Sequence, residues 1–194
     1  ELEDAHLEIW PDKDDEEYIE KFLEANWAVD DKLIGINLGA SFKWQTKIWP
    51  VEYISILAQK ISQKGMRLVI TGTQEDLELL EPIKDSLDKT KSIIACGKTS
   101  INQLACLIKR CRVFISSDSA PLHVASSVGV ACIALFGPTD PKRHMSYNQN
   151  SIVITKELKC SPCYKPKCKT RDCLKQITPE EVFEKIQELL FKNQ

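Results

Sequence analysis

Short apolar runs alternate along the chain with longer segments in which apolar residues recur every three or four positions. The runs are KLIGINLG, MRLVITG, SIIACG, CRVFISS, ACIALFG and SIVIT. The segment WPVEYISILAQKISQKG has the amphipathic pattern of a helix, with Pro50 at its start and Gly65 at its end. Strands that are apolar throughout, separated by amphipathic helices, indicate a parallel sheet covered on both faces. The pattern predicts an α/β fold with a doubly wound parallel sheet.

Capping signals mark several helix boundaries. Ser100 is predicted to cap a helix, and Thr178 with Glu181 has the spacing of a capping box with Pro179 in the first helical position. EDLELLEPI is predicted to form a further helix. The helix after Ser100 is expected to face the core through Ile101, Leu104, Ala105 and Ile108.

The composition excludes several classes of protein. The 194 residues carry a formal net charge of −2, so no basic field predicts nucleic acid as a partner. The longest apolar run, VGVACIALFG, is well short of the roughly 18 residues that a membrane-spanning helix needs. The start of the sequence has no recognisable secretory signal. These observations predict a cytoplasmic protein.

Polar loops follow five of the predicted strands. They are GASFKWQTK, GTQED, GKTS, SDSAPLH and GPTDP, each rich in Gly, Ser, Thr, Asp or Lys. In an open parallel sheet, ligands bind beyond the carboxyl ends of the strands. One such loop could serve only to cap a helix, but five at one edge predict a binding site.

The segment SSDSAPLHVASSVG offers the clearest anion site. Ser119 is placed as an N-cap, and the N–H groups of Ser119 to Leu122 would favour a phosphate or diphosphate at the helix start. Asp118 would repel a phosphate and suits the hydroxyls of a sugar. The alternative is that Asp118 and Ser119 only cap the helix and that His123 is a half-buried core residue.

Lys47 could reach the same edge and neutralise phosphate charge, although Lys43 is equally well placed by composition. Glu75 and Asp76 suit either the first turn of a helix or the binding of hydroxyls. Neither G-x-x-x-x-G-K-S/T nor G-x-G-x-x-G occurs, so the sequence does not support a P-loop or NAD enzyme.

The ordered set of LGAS…KIWP, SDSAPLHVASSVGVACIALFGPTDP and the terminal ITPEEV helix resembles the heptosyltransferases of glycosyltransferase family 9. The resemblance covers roughly Leu33 to Leu190. It implies the GT-B architecture, two Rossmann-like domains with the active site in the cleft between them. Residues 31–194 then look like the carboxy-terminal, donor-binding domain, and residues 1–30 like an interdomain linker and helix. The amino-terminal acceptor domain is expected to lie outside this chain.

The resemblance also implies inverting transfer of a heptose from ADP-heptose to the inner core of lipopolysaccharide, without a metal or other catalytic cofactor. The matching positions are Ser41 and Lys47 near the phosphates, Glu75 on the ribose, Thr99 beside the base and Asp118 on the sugar hydroxyls. The diphosphate would be cradled by Ser119, Ala120, Pro121, Leu122 and His123. The family's general base, an aspartate of the other domain, would lie outside this chain. The chain alone is therefore expected to bind the donor, to lack transfer activity, and to work at the inner membrane face.

Eight cysteines fall into two groups of four. Cys96, Cys106, Cys111 and Cys132 lie in apolar or helical patterns that are typical of buried free thiols. The others, Cys160, Cys163, Cys168 and Cys173, crowd into the loop CSPCYKPKCKTRDC at residues 160–173. This spacing suits a structural zinc ion, or less readily an iron–sulfur cluster, with disulfides and free thiols as alternatives. The loop is also basic and could face an anionic acceptor such as a lipopolysaccharide precursor.

Two other function classes stay open at the level of sequence. One is a non-catalytic Rossmann-like binding module stapled by a metal ion, which would bind zinc without nucleotide sugars. The other is a sugar-nucleotide epimerase of the same architecture, which would prefer UDP ligands to ADP ligands.

Overall fold

A computed structural model describes residues 7–40, 43–145 and 150–192. One parallel sheet of six strands organises it, in the order β3-β2-β1-β4-β5-β6, which confirms the predicted doubly wound fold. The strands are β1 (Leu33–Asn37), β2 (Arg67–Thr71), β3 (Ile93–Ile94), β4 (Cys111–Ser117), β5 (Cys132–Leu135) and β6 (Ser151–Ile154).

Helices cover both faces of this sheet. They are α1 (Lys13–Ala25), α2 (Val51–Ser62), α3 (Lys84–Lys89), α4 (Ile101–Lys109), α5 (Ala120–Ser127), α6 (Pro141–His144), α7 (Asp172–Lys175) and α8 (Pro179–Lys192). Two 3-10 helices occupy Gln45–Lys47 and Glu75–Ile83. The second covers EDLELLEPI, the segment predicted to be a helix, and it has 3-10 rather than α geometry, with Pro82 inside it.

The main core lies between the sheet and helices α2 and α8. Ile34 and Ile36 of β1 pack there with Leu57 of α2 and Ile186 of α8. The inward face predicted for α2 is confirmed, since its buried residues are Ile54, Leu57, Ala58 and Ile61.

The opposite face of the sheet is covered by α1, α4 and α5. Phe114 of β4 packs against Leu122 of α5 and Leu104 of α4. Within the segment predicted as linker and helix, Ile19 and Leu23 of α1 are buried beside Val69 of β2 and Leu107 of α4. The boundary between residues 30 and 31 stays a prediction.

The cap predicted for α4 is confirmed, whereas only one of the two hydrogen bonds of the capping box predicted for α8 is formed. Ser100 and Gln103 exchange reciprocal hydrogen bonds of 3.0 and 3.1 Å at the start of α4. The Glu181 N–H donates to Thr178 Oγ1, while the Glu181 carboxylate lies 2.7 Å from Lys156 Nζ. The inward orientation expected for Ile101 is wrong, since this first residue of α4 is 55% exposed. No helix in the described part of the chain has the length and apolar character needed to cross a bilayer.

Candidate functional site

The loops after β1 to β5 form one continuous edge of the sheet, which we call the rim. It comprises residues 38–40, 43–50, 72–76, 95–100, 118–119 and 136–141. Because all six strands are parallel, their carboxyl ends meet at this edge. The five polar loops singled out in the sequence are therefore neighbours, in the order of the strands that they follow. Ser41, predicted near the phosphates, lies outside the described residues.

Lys47 and Asp118 meet between the ends of β1 and β4. The Lys47 Nζ lies 2.7 Å from Asp118 Oδ2, and the two side chains are only 15% and 8% exposed. Lys47 Nζ also lies 4.8 Å from the centre of the Trp44 ring. This is the point where the strand order reverses direction, which is where open α/β sheets bind their ligands. The structure therefore brings together the two charged residues selected from the sequence.

The geometry of this pair suits an exchange of partners. Two charges that are largely removed from water must each keep a counter-charge or hydrogen-bond partner. A phosphate placed beside Lys47 would supply the lysine with an alternative counter-charge. Asp118 would then be available to accept hydrogen bonds from hydroxyl groups. The pair can thus serve a ligand that combines a phosphate with a polyhydroxylated group.

The start of α5 is less open to an anion than its sequence predicted. Ser119 is the N-cap by backbone position, but its hydroxyl does not cap the helix and lies 2.9 Å from Ser116 Oγ. Pro121 has no N–H, and the Leu122 N–H donates to the Ser119 carbonyl at 3.0 Å. The expectation that all four N–H groups from Ser119 to Leu122 face a ligand is therefore wrong. Of these four, the N–H groups of Ser119 and Ala120 are the remaining candidates.

A buried amide that the sequence analysis missed connects three strands at the rim. Asn37, at the end of β1, accepts a hydrogen bond from Thr71 Oγ1 of β2 at 3.3 Å. Its Nδ2 donates to the Gly39 carbonyl and, at 3.4 Å, to Ser119 Oγ. The available signal was a lone Asn within the apolar run KLIGINLG, a position where a buried polar group must find partners. Asn37 thereby links the loop that leads to Lys47 with the start of α5.

Asp76, rather than its neighbour Glu75, packs into the rim. Its carboxylate accepts hydrogen bonds from the Thr73 N–H and Oγ1 at 2.7 and 3.1 Å. Any Cβ added at Gly39 or Gly72 would come within 3 Å of that carboxylate, so a larger residue at either position would displace the Asp76 side chain. Glu75 is exposed, and hydrogen bonds from its own backbone N–H and from Thr73 lower the pKa of its carboxyl.

Thr99, predicted beside the base, is half-buried in the loop after β3. β3 is three strands from β4, roughly 14 Å at the usual strand spacing. Glu75 and Thr99 therefore lie on the β2 and β3 side of the rim, away from Lys47 and Asp118. Such a separation suits the opposite ends of one extended ligand.

Two further side chains near the rim, those of His123 and Thr139, are partly or fully buried. His123 is half-buried on α5, as the alternative reading of that segment expected. Thr139 of the GPTDP loop is only 3% exposed, and its Oγ1 has no hydrogen-bond partner among the residues that the structure describes. A hydroxyl buried in this way is unusual, because burial without a partner costs free energy.

The Cys-rich loop, residues 160–173, is attached to the rim by backbone contacts. The N–H groups of Cys163 and Tyr164 donate to the Pro138 carbonyl at 3.0 and 2.8 Å. Thr46, which directly precedes Lys47 in the sequence, donates its Oγ1 hydrogen to the Lys165 carbonyl at 2.8 Å. The loop is therefore fixed next to the Lys47–Asp118 pair, a position that the sequence did not indicate.

The thiols of this loop are not arranged as a metal site. All four are free, and no group of three or more Cys, His, Asp or Glu side chains in the described ranges is placed to hold a metal ion. Cys168 Sγ instead accepts a hydrogen bond from the Arg171 N–H, which lowers the pKa of this exposed thiol. Burial, followed by the proximity of Cys163 and Cys160, raises the pKa of Cys173. The residues as placed do not fit zinc, and the predicted zinc site stays a prediction.

Comparisons with known proteins identify relatives of this chain. The chain is 33% identical over 165 residues to lipooligosaccharide heptosyltransferase 2 of Campylobacter jejuni, covering 81% of this chain and 51% of that protein. It superposes with a TM-score of 0.82 on a glycosyl transferase family 9 structure from Veillonella parvula, with 28% identity over 99% of this chain and 56% of that one.

A second solved structure supports the fold alone. ADP-heptose lps heptosyltransferase II of Escherichia coli gives a TM-score of 0.79 with 23% identity, covering 96% of this chain and 54% of that one. The chain thus spans about half the length of the relatives it matches. The family model described as glycosyltransferase family 9 (heptosyltransferase) matches residues 4–174, and the chain belongs to this family.

Proposed function

We propose that this chain is the donor-binding part of a heptosyltransferase that transfers a heptose from ADP-heptose to the inner core of lipopolysaccharide. The observation that carries the proposal is the nearly buried Lys47–Asp118 pair at the point where the strand order reverses. Membership of glycosyltransferase family 9 supports glycosyl transfer as the class of reaction. The matched relative from Campylobacter jejuni is a heptosyltransferase, and the matched Escherichia coli enzyme is named for ADP-heptose, which suggests the sugar and its donor.

The donor would lie along the rim. Its diphosphate would sit between Lys47 and the start of α5, where a cation and the N-terminal end of a helix both favour negative charge. Asp118 would accept hydrogen bonds from the heptose hydroxyls. The ribose and the base would extend over the loops after β2 and β3, which contain Glu75, Asp76 and Thr99.

The proposed chemistry is an inverting transfer without a metal ion or other cofactor. Negative charge grows on the leaving diphosphate, and Lys47 is the group on this chain placed to stabilise it. A general base must also take the proton of the acceptor hydroxyl. We assign that base to a part of the whole protein outside these 194 residues. The chain alone would then bind the donor without transferring heptose. The reaction would take place on the cytoplasmic side, with the protein peripheral to the inner membrane.

Calorimetric titration with ADP, UDP and GDP tests the donor assignment. We expect ADP to bind most tightly, and Lys47→Met to weaken that binding about tenfold or more because a phosphate contact is lost. Lys43→Met is the matched control, since Lys43 is an exposed lysine in the same loop. Equal losses in both variants would contradict the assignment. A preference for UDP would favour the epimerase alternative.

A turnover assay tests the assignment of the base separately. The isolated chain, mixed with ADP-heptose and a heptose-accepting core oligosaccharide, should release no ADP above the rate of donor hydrolysis. Measurable heptose transfer by the chain alone would show that the base lies within these 194 residues.

A further inference from the structure

Positive charge is concentrated in one part of the sequence. Residues 141–175 contain nine Lys and Arg but only two Asp and Glu, whereas the whole chain has a formal net charge of −2. The rest of the chain is therefore distinctly acidic. The basic side chains of this segment are those of Lys142, Arg143, Lys156, Lys159, Lys165, Lys167, Lys169, Arg171 and Lys175.

Most of these side chains face solvent without a counter-ion. We call the exposed members the basic face: Lys142, Arg143, Lys159, Lys165, Lys167, Lys169 and Lys175. Among the described residues, the salt bridges of the segment involve only Lys156, which pairs with Glu181 of α8. Clustered cations repel one another, so an unneutralised cluster raises the local concentration of anions.

The basic face is held against the donor-binding part of the rim. The Lys165 carbonyl accepts its hydrogen bond from Thr46, which is buried and adjacent to Lys47. The Arg171 guanidinium donates to the carbonyls of Gln45 and Ile48 at 3.4 and 3.5 Å. These bonds attach the Cys-rich loop to the 3-10 helix Gln45–Lys47 and to the residue that follows it. An anion on the basic face would therefore lie beside the proposed position of the donor sugar.

A second anchor joins the same loop to the segment after β5. Tyr164 lies 6.0 Å, ring centre to ring centre, from His144 of α6, and its hydroxyl accepts a hydrogen bond from the Asp140 N–H at 3.3 Å. α6 contributes Lys142 and Arg143 to the basic face. Two separate stretches of basic sequence thus form a single surface.

We propose that the basic face binds the anionic saccharide of the acceptor, a glycan that bears carboxylate or phosphate groups, and holds its hydroxyl close to the donor. This inference rests on the proposed function, because it takes the rim as the donor site. The position beside the rim favours a sugar acceptor over other polyanions. The acidic balance of the rest of the chain argues against a nucleic acid, whose phosphates it would repel.

The test compares two triple variants with equal changes of charge. Lys165→Gln/Lys167→Gln/Lys169→Gln removes three cations from the basic face. Lys64→Gln/Lys89→Gln/Lys109→Gln removes three exposed lysines elsewhere on the surface. The probe is a soluble, delipidated inner-core oligosaccharide that bears phosphate and carboxylate groups, and calorimetry measures its binding and that of ADP. Thermal unfolding of each variant confirms that it is folded.

We expect the first variant to bind the oligosaccharide about tenfold more weakly and the second to bind it like the unaltered chain. Added salt should weaken the oligosaccharide binding of the unaltered chain, because exposed charges are screened. In both variants the affinity for ADP should stay within about twofold of that of the unaltered chain. If the unaltered chain does not bind ADP, the donor assignment fails, whatever the result with the oligosaccharide.

Three outcomes would overturn the proposal. The first is that the unaltered chain does not bind the oligosaccharide, and the second is that both variants lose the same affinity for it. The third is tighter binding of anionic phospholipid vesicles or duplex DNA than of the oligosaccharide, which would assign the basic face to a membrane surface or to a nucleic acid.

Discussion

Lys47 and Asp118 stabilise the fold only as a pair. Each is largely buried, so replacing one leaves the other charge without its partner. We expect Lys47→Met to lower the free energy of unfolding by about 3 kcal/mol, the usual cost of breaking such a pair. The double variant Lys47→Met/Asp118→Asn should recover part of this loss, since neither charge remains. Urea unfolding measures both values, with Lys43→Met as the control. A change below about 0.5 kcal/mol in Lys47→Met would mean that the pair is solvated.

Asn37 should affect both stability and ligand binding. Asn37→Ala removes the acceptor of Thr71 Oγ1 and a donor to the Gly39 carbonyl, so we expect a loss of about 1–3 kcal/mol in the free energy of unfolding. Because Asn37 also contacts Ser119, ADP affinity should fall at temperatures where the variant is fully folded.

The control for Asn37 is Asn26→Ala, at the opposite edge of the sheet, where this amide donates to the Phe22 carbonyl. Unchanged ADP affinity in folded Asn37→Ala would limit this amide to a structural role. Thr71→Val separates the two effects, since it removes the bond to Asn37 Oδ1 and leaves the contacts with Gly39 and Ser119 in place.

The individual residues of the site were only partly predictable. Lys47 and Asp118 could be selected because each follows a strand, but their pairing depends on β1 and β4 being neighbours. Asn37 stands within an apolar run, where its amide carries no sequence signal beyond its polarity. The hydroxyl of Ser119 had two possible partners, its own helix and Ser116, and only the three-dimensional structure distinguishes them.

At the scale of elements, local signals determined the helix boundaries better than the helix type. The cap of α4 was predicted from Ser100, and the structure adds Gln103 of the same turn as its partner. The 3-10 form of Glu75–Ile83 was not predicted, since its apolar spacing fits either kind of helix. Periodicity also placed Ile101 on the inward face of α4, although this first residue of the helix is exposed.

Helix α8 should show a specific dependence on pH. Hydrogen bonds from Lys185 and Lys192 lower the pKa of Glu188 to about 2 from its ordinary value of 4.5. Because the folded pKa is below the unfolded one, the stabilisation is fully present above pH 4.5 and is lost as the pH falls towards 2. Glu188→Gln should therefore reduce the acid sensitivity of thermal unfolding in that range.

Glu184→Gln provides the control for this effect, as an exposed carboxylate on the same helix. If thermal unfolding of Glu188→Gln and Glu184→Gln depends on acid pH in the same way, the assignment to Glu188 is wrong. Salt should reduce the effect of Glu188, since its two lysine partners lie near the surface.

For the whole molecule, the alternation of strands and helices predicted the fold class, because each element needs a covered apolar face. The strand order was beyond the sequence, since it depends on which runs pair across the core. That order unites the five polar loops and fixes the Cys-rich loop beside Lys47. The sequence therefore indicated the parts of the site, and the topology determined their neighbours.

The eight thiols should divide by reactivity according to their place in the molecule. Burial raises the pKa values of Cys96, Cys111 and Cys132 to about 12, which keeps them protonated and slow to react. Cys168 is exposed with a lowered pKa and should react first with iodoacetamide at neutral pH. Mass spectrometry after brief labelling measures the order. Labelling of Cys111 before Cys168 would contradict it, and full unfolding in urea should abolish the difference.

The packing of α8 against α2 has a consequence for how the chain is synthesised. The core that contains Ile34 and Leu57 is completed by Ile186, which the ribosome adds after all six strands. Until α8 emerges, an apolar surface of the first half remains uncovered in the nascent polypeptide. The central strand β1 likewise cannot pair with β4 until β4 is synthesised, some 80 residues later. We therefore expect premature termination within α8 to yield chains that chaperones retain, although nearly the entire rim has already been translated.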